Sequence, residues 1–163
     1  MYKIIFGALS LLGSIPLISQ TLSTQNKKAI DLYVEADNYR VRGQYEQAIR
    51  LLKQATEKDK KFEEAYARLG TTYRSAGDLK LSSDSFEQAL VLTPYPLKQK
   101  AYLYSLGDNY LRSGQYERST FNLEKFLAIE KTDKTKMDFA TIWKTQASYG
   151  LSLIHISEPT RPY

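Results

Sequence analysis

The sequence predicts an all-α protein built as an α-solenoid of helix-turn-helix repeats. A glycine recurs at Gly43, Gly77 and Gly114, so the spacings between copies are 34 and 37 residues. Other residues keep step with these glycines, a tyrosine four positions before and a small residue five positions after: Tyr39, Tyr73 and Tyr110, then Ala48, Ser82 and Ser119. Self-similarity at a period of roughly 20 to 50 residues is the signature of repeat architectures.

The first nineteen residues predict a secretory signal peptide. Lys3 precedes an uncharged, mostly apolar run from Ile4 to Ile18, which Pro16 interrupts. This run is shorter than the stretch of about 20 apolar residues that a transmembrane helix needs, and a positive start with a short apolar core is typical of an export signal. A short uncleaved membrane anchor is the alternative. We expect an exported protein, in the periplasm or cell envelope or secreted, with a linker at 20–28.

Each copy then follows one pattern of a first helix, a glycine turn and a second helix. In the second copy the first helix carries Leu69, Gly70 and Tyr73, and the second helix carries Phe86 and Ala89. This pattern resembles the tetratricopeptide repeat family, whose fold is a superhelix of stacked helix pairs. The resemblance covers most of the mature chain and places three repeats and a partial fourth at 29–62, 63–96, 100–133 and 137–150.

The resemblance also implies a concave groove lined by the first helix of each pair. Nine residues are expected on its surface: Tyr33, Asp37, Arg40, Arg68, Thr71, Arg74, Tyr104, Asp108 and Arg112. Such a surface can hold an extended peptide or a partner helix, because arginine binds carboxylates at two points and tyrosine gives contact area at low entropy cost. The alternative is a solvated helical face with scattered charges. Asp37 and Asp108 do not fit the lysine and asparagine pattern with which some relatives clamp chaperone tails.

The composition disfavours most chemistry. The 163 residues include no cysteine and one histidine, His155, which excludes disulfides, thiolate metal sites and cysteine nucleophiles. No spacing picks out a nucleophile with a base, so we expect no catalytic residue, cofactor, metal or small-molecule substrate. The lysines concentrate at repeat junctions, near helix C-termini, where a positive charge is favourable to the helix dipole. We therefore expect no nucleic-acid site. Most of the 13 tyrosines are expected to be core spacers.

The C-terminal part predicts a degraded repeat followed by foreign sequence. Phe139, Ile142, Trp143 and Ala147 have helical spacing, and we expect Trp143 to cover the open end of the third repeat. Residues 151–163 closely resemble the conceptual translation of a sequencing adapter. We therefore expect this tail to be non-native and the natural protein to be longer.

These observations favour a non-catalytic protein-protein interaction or scaffold module, acting in cell-envelope assembly through its groove. One alternative is an N-terminal fragment of a larger envelope protein that has lost a β-propeller and an OmpA-like peptidoglycan-binding domain. Another is a fragment of an enzyme whose catalytic domain is missing, and a third is a structural spacer without a partner. Membrane contact is expected only through the signal peptide or through a missing C-terminal domain.

Overall fold

The computed structural model describes residues 22–157, so the predicted signal peptide at 1–19 and residues 158–163 of the predicted foreign tail lie outside it. All regular structure in this part of the chain is helical, which confirms the predicted all-α class. The helices are α1 (Lys27–Val41), α2 (Tyr45–Lys58), α3 (Glu63–Ser75), α4 (Leu79–Leu92), α5 (Pro96–Arg112), α6 (Tyr116–Ile129) and α7 (Lys134–Ser157). None of these helices is long and apolar enough to span a membrane.

The same turn joins the two helices of each of the first three pairs. Gly43, Gly77 and Gly114 have φ values of 75°, 89° and 73°, in the left-handed region that glycine occupies without a steric penalty. In each turn the N–H after the glycine donates to the carbonyl of the tyrosine four residues before the glycine, over 2.8–3.0 Å. These bonds satisfy carbonyls at the end of the first helix.

Small residues let the helices of a pair cross closely. A Cβ atom added to Gly70 would lie 2.9 Å from the Phe86 ring, and one added to Gly107 would lie 2.3 Å from Leu123. At both crossings a serine of the second helix donates a hydrogen bond of 2.8 Å to the glycine carbonyl. Tyr73 and Tyr110 are buried, as expected for core spacers, whereas Tyr95 is 64% exposed.

The segment before α1 is bound to the junction between the first two pairs, whereas the sequence predicted a linker at 20–28. The Ser23 hydroxyl donates to the Glu64 carboxylate over 2.6 Å, and the Thr24 hydroxyl donates to Asp59. Asn26 then caps the helix by accepting a hydrogen bond from an N–H of its first turn, which explains why α1 begins at Lys27.

The third pair begins earlier than the predicted repeat boundary at residue 100. Its first helix, α5, has 17 residues and starts at Pro96. Proline is favoured at the first helical position because its φ is already helical and its missing N–H would have no partner there. The longer α5 accommodates the three extra residues between the second and third glycines.

The last helix, α7, covers the open side of the third pair. Trp143 packs against a buried cluster that includes Leu123, Phe126 and Ala140, so its predicted capping role is confirmed. The helix has 24 residues and continues through Ser157. Residues 151–157 of the predicted foreign tail are therefore a continuation of the helix that the partial repeat at 137–150 begins.

Candidate binding groove

The nine residues predicted for the groove lie on the three first helices, with three residues on each of α1, α3 and α5. Within each helix they are spaced three or four residues apart, which places them along one face. Side-chain contacts join this face of α1 to α3 and that of α3 to α5. The charged residues form two groups, one at each junction.

The first group lies between α1 and α3 and centres on one carboxylate. Asp37 Oδ1 lies 2.7 Å from Arg40 Nε and 3.3 Å from Arg68 Nε. The Arg68 guanidinium also donates a hydrogen bond of 3.0 Å to the Tyr33 hydroxyl, and its central carbon lies 5.6 Å from the centre of the Tyr33 ring. The three charged side chains are each about one third exposed. One aspartate thus holds two arginines at the surface.

The second group lies between α3 and α5 and extends into the core. Arg74 binds the Asp108 carboxylate, and its Nε donates to Asn109 Oδ1 over 3.0 Å. The Asn109 amide is fully buried and donates to the Ser82 hydroxyl over 2.8 Å. Arg112 completes the group at 4.0 Å from Asp108. This network therefore ties three helices together.

Asn109 was missed by sequence reasoning, which assigned it no role. The signal was present, since the same repeat position holds Asn38, Thr72 and Asn109. A run of short polar side chains at one position of three amphipathic helices indicates a place where hydrogen bonds can replace apolar packing.

The remaining groove residues are Tyr104 on α5 and Thr71 on the middle helix, α3. The Tyr104 ring packs between Phe126 and Trp143, with both ring centres 5.0 Å away. Burial raises the pKa of the Tyr104 hydroxyl, and the nearby Asp108 carboxylate acts in the same direction. Thr71 is exposed, and its hydroxyl donates to a carbonyl of its own helix. Thr71 also lines a shallow pocket of about 200 Å³ beside Tyr33.

The residues from 22 to 157 contain no cluster of three or more histidine, aspartate or glutamate side chains that could hold a metal ion. Within each of the two groove groups, the charged side chains pair with one another. What the groove offers is a row of arginine and tyrosine groups that remain partly accessible.

Two family models match the chain, a TPR repeat over residues 36–77 and a tetratricopeptide repeat over residues 63–95. Residues 36–95 of the chain are therefore tetratricopeptide repeats. A curated relative, the cell division cycle protein 27 homolog of Caenorhabditis elegans, is 28% identical over 121 residues. The match covers 74% of this tetratricopeptide repeat chain but only 15% of that relative.

Solved tetratricopeptide structures share the fold. The first TPR of Spaghetti (RPAP3), bound to the HSP90 peptide SRMEEVD, is 17% identical with a TM-score of 0.64, covering 77% of this chain and 94% of that chain. The Yersinia enterocolitica type III secretion chaperone SycD, in complex with a peptide of the translocator YopD, is 16% identical with a TM-score of 0.60, covering 75% and 91%. At these identities the likeness establishes the helical array.

Proposed function

We propose that this chain is a non-catalytic interaction module that holds a peptide or partner helix in the groove between its first helices. One observation carries the proposal: side chains from the first helices of three successive pairs form a row with four arginines and two aspartates. A surface with excess guanidinium groups suits a partner that presents carboxylates. The RPAP3 and SycD arrays were solved with peptides, which supports a role of this kind for the present array.

Arg112 is the groove group best placed to bind such a partner. Within residues 22–157 its guanidinium has one ion-pair contact, the 4.0 Å approach to Asp108, and its side chain is 57% exposed. Arg74 is different, because its donors are already used by Asp108 and Asn109. Loss of Arg112 should therefore weaken binding without disturbing the array, whereas loss of Arg74 should disturb both.

Photo-crosslinking at two matched positions tests the groove. A p-benzoylphenylalanine residue replaces Thr71 in the groove, and in a control protein it replaces Val91, which is 81% exposed on the second helix α4. We expect a partner adduct from the groove position and none from the control. Arg112→Ala should reduce the groove adduct by about tenfold, as expected for loss of one charged contact, with unchanged helicity by circular dichroism. Equal adducts from both positions would contradict the proposal.

We further infer that the module acts outside the cytoplasm, in the cell envelope. The positive start and short apolar run of residues 1–19 support export. Alkaline phosphatase fused after residue 28 should be active in a bacterial host, because this enzyme folds only in an oxidising compartment. The matched control begins at residue 20 and should be inactive. Similar activity from the two fusions, or none from either, would argue against export.

A further inference from the structure

The side of the array formed by second helices carries a cleft between α4 and α6. None of the residues that line it belongs to the nine groove residues. The lining comes from three helices: Glu87 and Leu90 of α4, Leu106 of α5, and Glu117, Arg118, Phe121, Asn122 and Lys125 of α6. The volume of this α4–α6 cleft is about 560 Å³, within the usual size of ligand pockets, about 300–1,000 Å³. The corresponding cleft between α2 and α4 has about 230 Å³.

Two residues of the α4–α6 cleft depart from the other repeats. Phe121 occupies the position that Arg50 and Asp84 hold in the first and second copies, and it is 56% exposed. Since the other two second helices form with charged residues at this position, the helix does not require an aromatic ring there. The ring instead extends an apolar surface that Leu90 and the buried Leu106 begin.

Lys125 is the second departure, since the other copies have glutamine at this position, Gln54 and Gln88. Its Nζ lies 4.1 Å from the centre of the Phe121 ring. Across the described part of the chain, no carboxylate oxygen lies within ion-pairing distance of this ammonium group. A cation over an aromatic face is attracted to it, but its charge remains available to an incoming carboxylate.

The other charges at the rim are already accommodated. Arg118 lies 2.5 Å from the Glu87 carboxylate, and its guanidinium carbon is 4.2 Å from the centre of the Tyr110 ring. The Tyr110 hydroxyl donates to the same carboxylate over 2.7 Å. Glu117 lies in the first turn of α6, where the helix dipole favours a negative charge. Glu117 and Lys125 are eight residues apart on α6, about 12 Å along the helix axis, so the unpaired positive charge of Lys125 lies at the opposite end of the cleft from Glu117.

We propose that the α4–α6 cleft is a second docking site of the module, distinct from the groove. It takes a large apolar side chain, such as tryptophan, from a partner protein segment in which an acidic residue follows directly. The apolar side chain packs against Leu90, Leu106 and Phe121, and the carboxylate pairs with Lys125. The combination gives selectivity that neither contact provides alone. Burial of the ring favours an apolar side chain, and the Lys125 ammonium group repels a basic residue beside it.

The test is a titration of the ¹⁵N-labelled protein with three capped dipeptides, followed by NMR. N-acetyl-Trp-Asp-amide should produce saturable amide shifts in α4 and α6, with half-saturation at about 1 mM, as suits so small a ligand. N-acetyl-Trp-Lys-amide should bind about fivefold more weakly because Lys125 repels it. N-acetyl-Ala-Asp-amide should produce no saturable shift, since it lacks the apolar side chain.

Variants that restore the residues of other repeats provide the controls. Phe121→Asp should weaken binding of the Trp-Asp probe more than about tenfold, and Lys125→Gln should make the Trp-Asp and Trp-Lys probes bind alike. Arg50→Asp, at the position in α2 that corresponds to Phe121, should change nothing. All three side chains are exposed, so the helical circular dichroism spectrum should be unchanged.

Four outcomes would overturn the proposal. The first is amide shifts that are confined to groove residues, and the second is undiminished binding of the Trp-Asp probe by the Phe121→Asp variant. The third is binding of the Ala-Asp probe as tight as that of the Trp-Asp probe, and the fourth is a doubled mass by light scattering. The last result, with the single mass restored in Phe121→Asp, would mean that a second copy of this chain covers the cleft. Because no groove residue lines the cleft, failure here leaves the crosslinking test of the groove independent.

Discussion

The two junctions between the three full helix pairs share one geometry but use different chemistry. Thr72 and Asn109 occupy the same repeat position and both are fully buried. At the first junction the Thr72 hydroxyl donates to a carbonyl of its own helix. At the second junction the Asn109 amide reaches across to Ser82 on α4, while its oxygen accepts from Arg74 of α3. The repeat position determines where a side chain lies. The length of that side chain determines whether it can join two helix pairs.

This difference extends to the charges in the groove. At the first junction Asp37 and Arg68 meet at the surface, each about one third exposed. At the second junction Asp108 is 18% exposed and its partner Arg74 also binds the buried amide. Exposed ion pairs contribute about 0–1 kcal/mol, whereas a buried polar group left without its partner costs about 1–3 kcal/mol. The second junction should therefore be the more sensitive to substitution.

The largest effect should come from Asn109→Ala, which breaks the network of the second junction. The substitution removes the acceptor of Arg74 and the donor to Ser82 and leaves a cavity, so we expect a loss of about 3 kcal/mol in the free energy of unfolding. Asn38→Ala is the matched control, since Asn38 holds the same repeat position but is exposed on α1. Urea unfolding followed by circular dichroism should show a change of at most about 0.5 kcal/mol for the control. Similar losses in the two variants would contradict the assignment.

The residue directly after each second helix differs in charge from pair to pair. It is Asp59 after α2, Thr93 after α4 and Glu130 after α6. Glu130 is almost fully buried, and a hydrogen bond from Lys100 together with hydrogen bonds from Thr132 and Asp133 lowers its pKa far below the usual range. The pKa of Asp59 is also lowered, chiefly by the Thr24 hydroxyl. Thr93 does not titrate, so the second junction lacks this source of pH dependence.

Acid should therefore weaken the array through Glu130 and Asp59. A carboxylate with a lowered folded-state pKa contributes stability above its unfolded pKa, about 4.3 for glutamate, and this contribution is lost as the pH falls toward the folded value. We expect the Tm of the wild type to fall between about pH 5 and pH 3. The fall should be shallower in Glu130→Gln and unchanged in Thr93→Ala. Parallel Tm curves for wild type and Glu130→Gln would disprove the role of Glu130.

The sequence predicted the array well because its signals are local. The turn at Gly77 needs a positive φ, and the crossing at Gly70 needs a small residue; both requirements appear as residue types at fixed spacing. The choice of the nine groove residues came from the family resemblance. The partners could not be predicted in this way. Arg68 and Arg74 lie six residues apart on one helix, yet Arg68 binds the preceding pair and Arg74 binds the following pair.

The smallest effect should come from Asp37→Asn, at the surface of the first junction. Because Asp37 is 35% exposed, water can replace its contacts to the arginines, and the loss should be about 0.5 kcal/mol. The matched variant Asp108→Asn should cost about 1.5 kcal/mol, since it removes a charged partner from the less exposed Arg74 network. In about 1 M NaCl, where the Debye length is about 3 Å, the cost of Asp37→Asn should vanish and that of Asp108→Asn should persist. Equal, salt-sensitive costs would show that both ion pairs act as surface charges and that the lower exposure of Asp108 does not strengthen its contact with Arg74.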